Sequence, residues 1–176
     1  MTNIYIIGPY GAGKSSIGFQ ISKLLKMPFY DSDREIEKRS GVDIDWMFSI
    51  EGEEGFRNRE LMIIRELTRL QGVIIATGGG TVVIPECQKL LGENGIVIYL
   101  KVPFAEQLTR IKRFPAKRPT LDNKNPEDKL KQFNQDREKL YQEIADLTYE
   151  NTGKYPRKLA SKIIKDMRKI GYIGDS

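Results

Sequence analysis

The sequence predicts an α/β fold, a parallel sheet covered by helices on both faces, and three observations predict it. Apolar runs that suit buried strands occur at 3–7, 73–77 and 96–100, with shorter candidates at 29–31 and 147–150. Helical periodicity fills the gaps between them, and strands that alternate with helices pair in parallel. Between the first strand and the first helix stands Gly8-Pro9-Tyr10-Gly11-Ala12-Gly13-Lys14-Ser15, a complete GxxxxGK[ST] sequence. With 176 residues, no repeat and no linker, the chain reads as a single domain, 1–176.

Ile4-Tyr5-Ile6-Ile7 forms the first buried strand and runs straight into the glycine-rich loop. The chemistry of that loop fits a nucleoside triphosphate. Glycines let successive N–H groups turn toward one point, Lys14 adds positive charge for the β- and γ-phosphates, and Ser15 offers a hydroxyl to Mg²⁺. Ile17, Ile21, Leu24 and Leu25 then recur at helical spacing, on a helix that starts near Lys14 and aims its positive dipole end at the same anion. The second strand ends in Asp31-Ser32-Asp33. In an extended chain residues i and i+2 face the same way, so both carboxylates point toward the phosphate site. One suits Mg²⁺, and the other suits orienting an attacking hydroxyl and accepting its proton. The alternative is that Ser32 or Asp33 caps a helix at 34–40. Because the chain has no histidine, either a general base comes from the carboxylates or the proton leaves late without strong base help.

A helix near 53–71 carries the stripe Ile64 and Leu67, which continues N-terminally to Glu60 and Arg57. A helix near 126–145 places Arg137 on the stripe of Leu130, Phe133, Leu140, Tyr141 and Ile144. An inward arginine needs a partner, either an internal acid such as Glu60 or the carboxylate of a substrate. The strand at 73–77 ends in Thr77-Gly78-Gly79-Gly80 rather than in an acid, which leaves metal binding to Asp31, and its glycines let a ligand lie against bare backbone. Basic residues cluster at Arg110, Lys112, Arg113, Lys117 and Arg118, ahead of the turn-rich stretch Asp122 to Pro126. This reads as a basic loop, a candidate lid at about 112–125 over a triphosphate. The second basic cluster, Lys154 to Lys169, lies on a helix whose apolar stripe is Leu159, Ile163, Ile164, Met167 and Ile170, and reads as a solvated face.

Composition excludes several classes. A single cysteine, Cys87, rules out an internal disulfide, and without histidine no Cys/His zinc site exists. No run approaches the ~20 apolar residues of a membrane span, and no secretory leader is evident, so a cytoplasmic protein with no membrane partner is expected. The net charge of +5 suits anionic ligands, but no aromatic and basic reading surface for nucleic acid is present. A GTPase switch would need DxxG and NKxD elements. The chain has no DxxG, and Asn123-Lys124-Asn125 is followed by Pro126.

The ordered series of phosphate loop, Asp31-Ser32-Asp33, Gly55-Phe56-Arg57 with Glu60, Thr77-Gly78-Gly79-Gly80, Arg118-Pro119, and Arg137 with Tyr141 resembles the shikimate kinases of bacterial aromatic biosynthesis. The resemblance implies a three-layer α/β/α fold of the nucleoside-monophosphate-kinase type, with a five-stranded parallel sheet, a lid and a substrate-binding helical segment at about 33–60. It also implies phosphorylation of the 3-hydroxyl of shikimate by ATP with one Mg²⁺ per subunit, in a monomer. Gly11, Ala12, Gly13, Lys14, Ser15 and Ser16 would wrap ATP, with Ser15 and Asp31 on the metal. Asp33 would hold the attacking hydroxyl, and Arg57 and Arg137 would clamp the carboxylate, with Glu60 steadying Arg57. Gly79 and Gly80 would meet the substrate ring, Arg110 would stack near the adenine, and Arg118 and Lys14 would neutralise the transferring phosphoryl group. Other small-molecule kinases, for gluconate or a nucleoside monophosphate, share the loop and the sheet, but two inward arginines with Asp33 favour an acceptor bearing both a carboxylate and hydroxyls.

Overall fold

A computed structural model describes residues 2–113 and 125–174 of the chain. The elements follow in the order β1 (Asn3–Ile7), α1 (Lys14–Leu25), β2 (Phe29–Asp31), α2 (Ser32–Ser40), α3 (Ile44–Leu67), β3 (Ile74–Ala76), a 3₁₀ turn (Thr81–Val83), α4 (Pro85–Asn94), β4 (Gly95–Lys101), α5 (Phe104–Arg113), α6 (Pro126–Ile144), β5 (Leu147–Glu150) and α7 (Pro156–Lys169). The sheet has five parallel strands, as expected, and their order is β2-β3-β1-β4-β5. At its centre Ile4 pairs with Ile74 on one side and Ile96 on the other.

Alternation along the central strand divides the core. Ile4 and Ile6 point to one face, where α1 and α7 cover them with Ile17, Ile21, Ile163 and Met167. Tyr5 and Ile7 point to the other, covered by Phe56, Ile64 and Leu67 of α3, Leu91 of α4 and Tyr141 of α6. Both faces are dry, which is why β1 and the middle of β4 are continuous apolar runs. The strand order reverses at β1, so a crevice opens at its carboxyl end, where the glycine-rich loop sits.

Three expectations change. The helix read as 53–71 begins at Ile44 and is bent at Gly52, whose φ of 69° favours glycine. The Asp-Ser-Asp stretch is not extended throughout: Asp31 closes β2, while Ser32 and Asp33 already belong to α2. The cap of α2 is therefore Asp31, whose carboxylate accepts from the Arg34 N–H at 3.2 Å, and not Ser32 or Asp33. Finally, Arg110, Lys112 and Arg113 form the last turn of α5, where cations favour the negative end of the helix dipole, so they stand ahead of any basic loop. Lys117, Arg118 and the remainder of the candidate lid lie outside the described residues.

Close packing of α1 on the sheet depends on Gly18. A Cβ there would lie 2.6 Å from the Phe29 ring and 3.1 Å from Ile6 Cδ1. Alanine normally strengthens a helix by about 1 kcal/mol over glycine. Here Gly18→Ala is expected to lower stability instead, by about 1–3 kcal/mol, because the added methyl overpacks the helix against the strands. A urea midpoint equal to or above that of the unaltered protein would contradict this contact.

Candidate active site

The glycine-rich loop is shaped from behind. Lys14 Nζ donates to the carbonyls of Gly8 and Pro9 at 2.8 and 2.9 Å. Gln107 Nε2 donates to Tyr10 O at 2.7 Å, Arg110 to Gly11 O at 2.8 Å, and Asn151 Nδ2 to Ala12 O at 2.8 Å. Five successive carbonyls are thus engaged by side chains. A planar peptide whose C=O points one way presents the next N–H on the opposite side, so the N–H groups of Gly11 and Gly13 turn toward the cavity. The left-handed φ of Gly11 and Gly13, 73° and 85°, makes this curvature possible, and Gly13 caps α1.

The loop borders a cavity of about 970 Å³ that also receives β2, α2, α3 and the stretch after β3. Ser15 donates a short hydrogen bond to Asp31 Oδ2, which joins the start of α1 to the end of β2. Two residues further on, Asp33 enters the cavity from the first turn of α2. Its Oδ1 is closed to solvent and has no hydrogen-bond partner. The Nε of Arg57 is in the same condition, although NH1 of that guanidinium donates to Glu60 at 2.7 Å and NH2 to Glu53 at 3.3 Å. Glu60 is fully buried and also accepts a short hydrogen bond from Thr81. Burial opposes the Arg57 charge, but the Glu60 carboxylate more than offsets it and holds the guanidinium above its ordinary range.

The three glycines after β3 make room for these side chains. A Cβ at Gly78 would lie 2.7 Å from both Asp33 Oδ1 and Glu60 Oε1. At Gly79 it would lie 3.0 Å from the Tyr10 ring, and at Gly80 it would overlap the Arg57 guanidinium. The bare backbone expected to receive a ligand is thus also what lets Asp33, Glu60, Arg57 and Tyr10 converge.

Comparison with known proteins places the whole chain beside one family. Residues 10–168 match the family model for shikimate kinase. A shikimate kinase of Coxiella burnetii is 47% identical over 169 residues, covering 96% of this chain and 94% of the relative. One from Legionella pneumophila is 48% identical over 163 residues, covering 93% of each. The chain belongs to the shikimate kinase family. Among solved structures, the shikimate kinase from Acinetobacter baumannii in complex with shikimate superposes with a TM-score of 0.94 at 40% identity, covering 98% of this chain and 96% of that one. The Aquifex aeolicus shikimate kinase superposes at 0.81 with 30% identity, covering 98% and 100%.

Within that family frame, the cavity gathers Gly11, Gly13, Lys14, Ser15, Ser16, Asp31, Asp33, Arg57, Glu60, Gly79 and Gly80, as the sequence led one to expect. Two arginines lie differently. Arg110 has all three guanidinium nitrogens engaged, with Glu106, Gly11 O and Asn151 O, so it braces the loop and the end of β5. Arg137 is 5% exposed and is not among the residues lining the cavity. It donates to Gly79 O at 3.2 Å, which also accepts from Tyr141. Sequence reasoning missed Gln107, which nothing in the sequence marks, and the loop-bracing part of Asn151, whose usable signal was its place at the carboxyl end of a candidate strand, where ligands collect in such sheets.

Asp33 is the most perturbed acid of the site. Burial, then the nearby charges of Glu60 and Asp31, push its carboxyl up to about 7, against the pull of Lys14 and Arg57. The unfolded chain releases this proton near pH 4, whereas the folded protein keeps it until about pH 7. Stability therefore falls as pH rises through that window and levels off above it. Asp33→Asn is expected to abolish the fall and to exceed the unaltered protein at about pH 8 by up to a few kcal/mol, with little difference near pH 3. Equal urea midpoints at about pH 8 would show that the carboxylate carries no such cost.

Proposed function

We propose that this chain transfers the γ-phosphoryl group of ATP to the 3-hydroxyl of shikimate, giving shikimate 3-phosphate and ADP. Membership of the shikimate kinase family supports the reaction. The observation that carries the residue assignment is a pair of buried, unpartnered atoms, Asp33 Oδ1 and Arg57 Nε, on two side chains that line one cavity with the phosphate loop. A buried polar atom without a partner is costly, and an acceptor that brings hydroxyls to Asp33 and a carboxylate to Arg57 satisfies both.

In this reading the loop N–H groups and Lys14 take the ATP phosphates, Lys14 leaving the carbonyls of Gly8 and Pro9 to do so. Ser15 and Asp31 have the hard oxygen donors that suit Mg²⁺, which binds through one or two protein oxygens together with phosphates and water. When bound, Mg²⁺ supplies positive charge beside the β- and γ-phosphates. Asp33 orients the attacking hydroxyl and receives its proton, and its raised pKa keeps it a competent acceptor near neutrality. Arg57, steadied by Glu60, takes the substrate carboxylate in a bidentate pair, with Arg137 as its second arm. Arg118, outside the described residues, would add charge to the transferring group. Positioning and charge neutralisation supply most of the acceleration, since the transfer leaves little covalent work for the protein. One Mg²⁺ per subunit, a monomeric state and a cytoplasmic location complete the proposal. Among the described residues no helix is long and apolar enough to cross a membrane.

The direct test is ADP release with ATP and Mg²⁺ and, in turn, shikimate, quinate, gluconate or AMP as acceptor. Selective release with shikimate is expected, and equal rates with all four would defeat the assignment. The role of Asp33 predicts a kcat lower by orders of magnitude in Asp33→Ala. It also predicts that kcat/KM of the unaltered enzyme falls as pH drops below about 7, because protonation of the free enzyme removes the acceptor. Near-normal turnover in Asp33→Ala, or a flat profile down to pH about 5, would remove Asp33 from the chemistry.

A further inference from the structure

Tyr10 belongs to the phosphate loop by sequence, but its ring is packed against α6. It meets Phe133 edge-on, with centroids 6.4 Å apart at 62°. The Arg137 guanidinium lies over both rings, 5.5 Å from the Tyr10 centroid and 4.3 Å from that of Phe133. The ring also lies against the bare backbone of Gly79, where a Cβ would come within 3.0 Å of it. The same residue is held by its backbone: Gln107 donates to Tyr10 O and exchanges two hydrogen bonds with Asn134, one turn before Arg137 on α6. The loop and the helix that carries Arg137 are thus joined both through the ring and through an amide pair.

Tyr10 lines the cavity, whereas Arg137 is buried and does not. A planar guanidinium recognises a carboxylate bidentately only if its plane is fixed, and aromatic faces fix it where hydrogen bonds alone would allow it to tilt. We propose that Tyr10 is a positioning residue for the acceptor: with Phe133 it holds the Arg137 guanidinium in the orientation from which it pairs with the substrate carboxylate. The nucleotide-binding loop thereby contributes a specificity element to the other substrate. This proposal rests on the reading of shikimate as acceptor and assigns Tyr10 no part in the phosphoryl transfer itself.

Steady-state kinetics of Tyr10→Ala, Tyr10→Phe and Phe133→Leu, each checked for a native unfolding transition, test it. Tyr10→Ala is expected to raise KM for shikimate about tenfold, with KM for ATP within about twofold and kcat changed less than KM. Tyr10→Phe, which keeps the ring, should restore the KM. Phe133→Leu lies outside the loop, so it should raise KM for shikimate in the same direction even if the loop variant folds poorly. In an Arg137→Ala background the Tyr10→Ala effect on KM should vanish. An unchanged or lowered KM in both ring variants would overturn the proposal, as would an undiminished effect without Arg137 or a loss in Tyr10→Phe as large as in Tyr10→Ala. No turnover of shikimate by the unaltered chain would instead overturn the acceptor reading, and this proposal with it.

Discussion

The site depends on one constraint above the others: the carbonyls of the phosphate loop must point away from the ligand. Three in succession, those of Tyr10, Gly11 and Ala12, do so because Gln107, Arg110 and Asn151 engage them. These side chains come from α5 and from the end of β5, elements far from the loop in the chain. The strand order β2-β3-β1-β4-β5 brings them together, because β4 and β5 place α5 and Asn151 beside the loop that follows β1. The anion site is therefore a property of the whole fold. Left without these partners, the same glycines would be free to turn their carbonyls toward the cavity and repel a phosphate.

A second constraint is steric. Three glycines in a row after β3 do not serve backbone freedom, since none of them has a left-handed φ. They let Asp33 and Glu60 reach one peptide, Tyr10 press on the next and Arg57 cover the third. Glu60 then balances Arg57 within a buried pair, at a desolvation cost that Thr81 reduces by satisfying the other carboxylate oxygen. The result is a braced arginine with one nitrogen held in reserve, in the same cavity lining as an acid whose Oδ1 is likewise without a partner.

The parts legible in the sequence were those governed by local periodicity. Strands β1 and β4 are buried on both faces and so read as unbroken apolar runs, and α6 showed its stripe with Arg137 on it. The first half of α3 was missed although Ile44, Met47 and Phe48 stand at helical spacing and pack on the core, because the exposed apolar residues Trp46 and Ile50 beside them blur the stripe. Asp31 and Asp33 were found for an incomplete reason. They reach the same cavity, but one as the end of a strand and cap of α2, the other from the first turn of that helix. Gln107 escaped altogether, as did the hold of Asn151 on the loop, since they act on carbonyls 97 and 139 residues away, and no spacing rule encodes such a pairing.

The absence of histidine links this architecture to its chemistry. In the proposed reaction a carboxylate takes the proton of the acceptor, since the chain has no histidine, and a carboxylate serves that task best when it is lifted from its ordinary range toward the working pH. Burial beside Glu60 and Asp31 does this for Asp33, and the same burial destabilises the folded chain above the pKa of that acid in the unfolded state. The two effects share one cause and cannot be separated by moving the residue outward. A hydroxyl donated to Asp33 Oδ1 by the acceptor would favour the ionised form and offset part of the cost in the bound state. The strain in the free site is thus spent where it helps, on holding an acceptor whose hydroxyl must lose its proton.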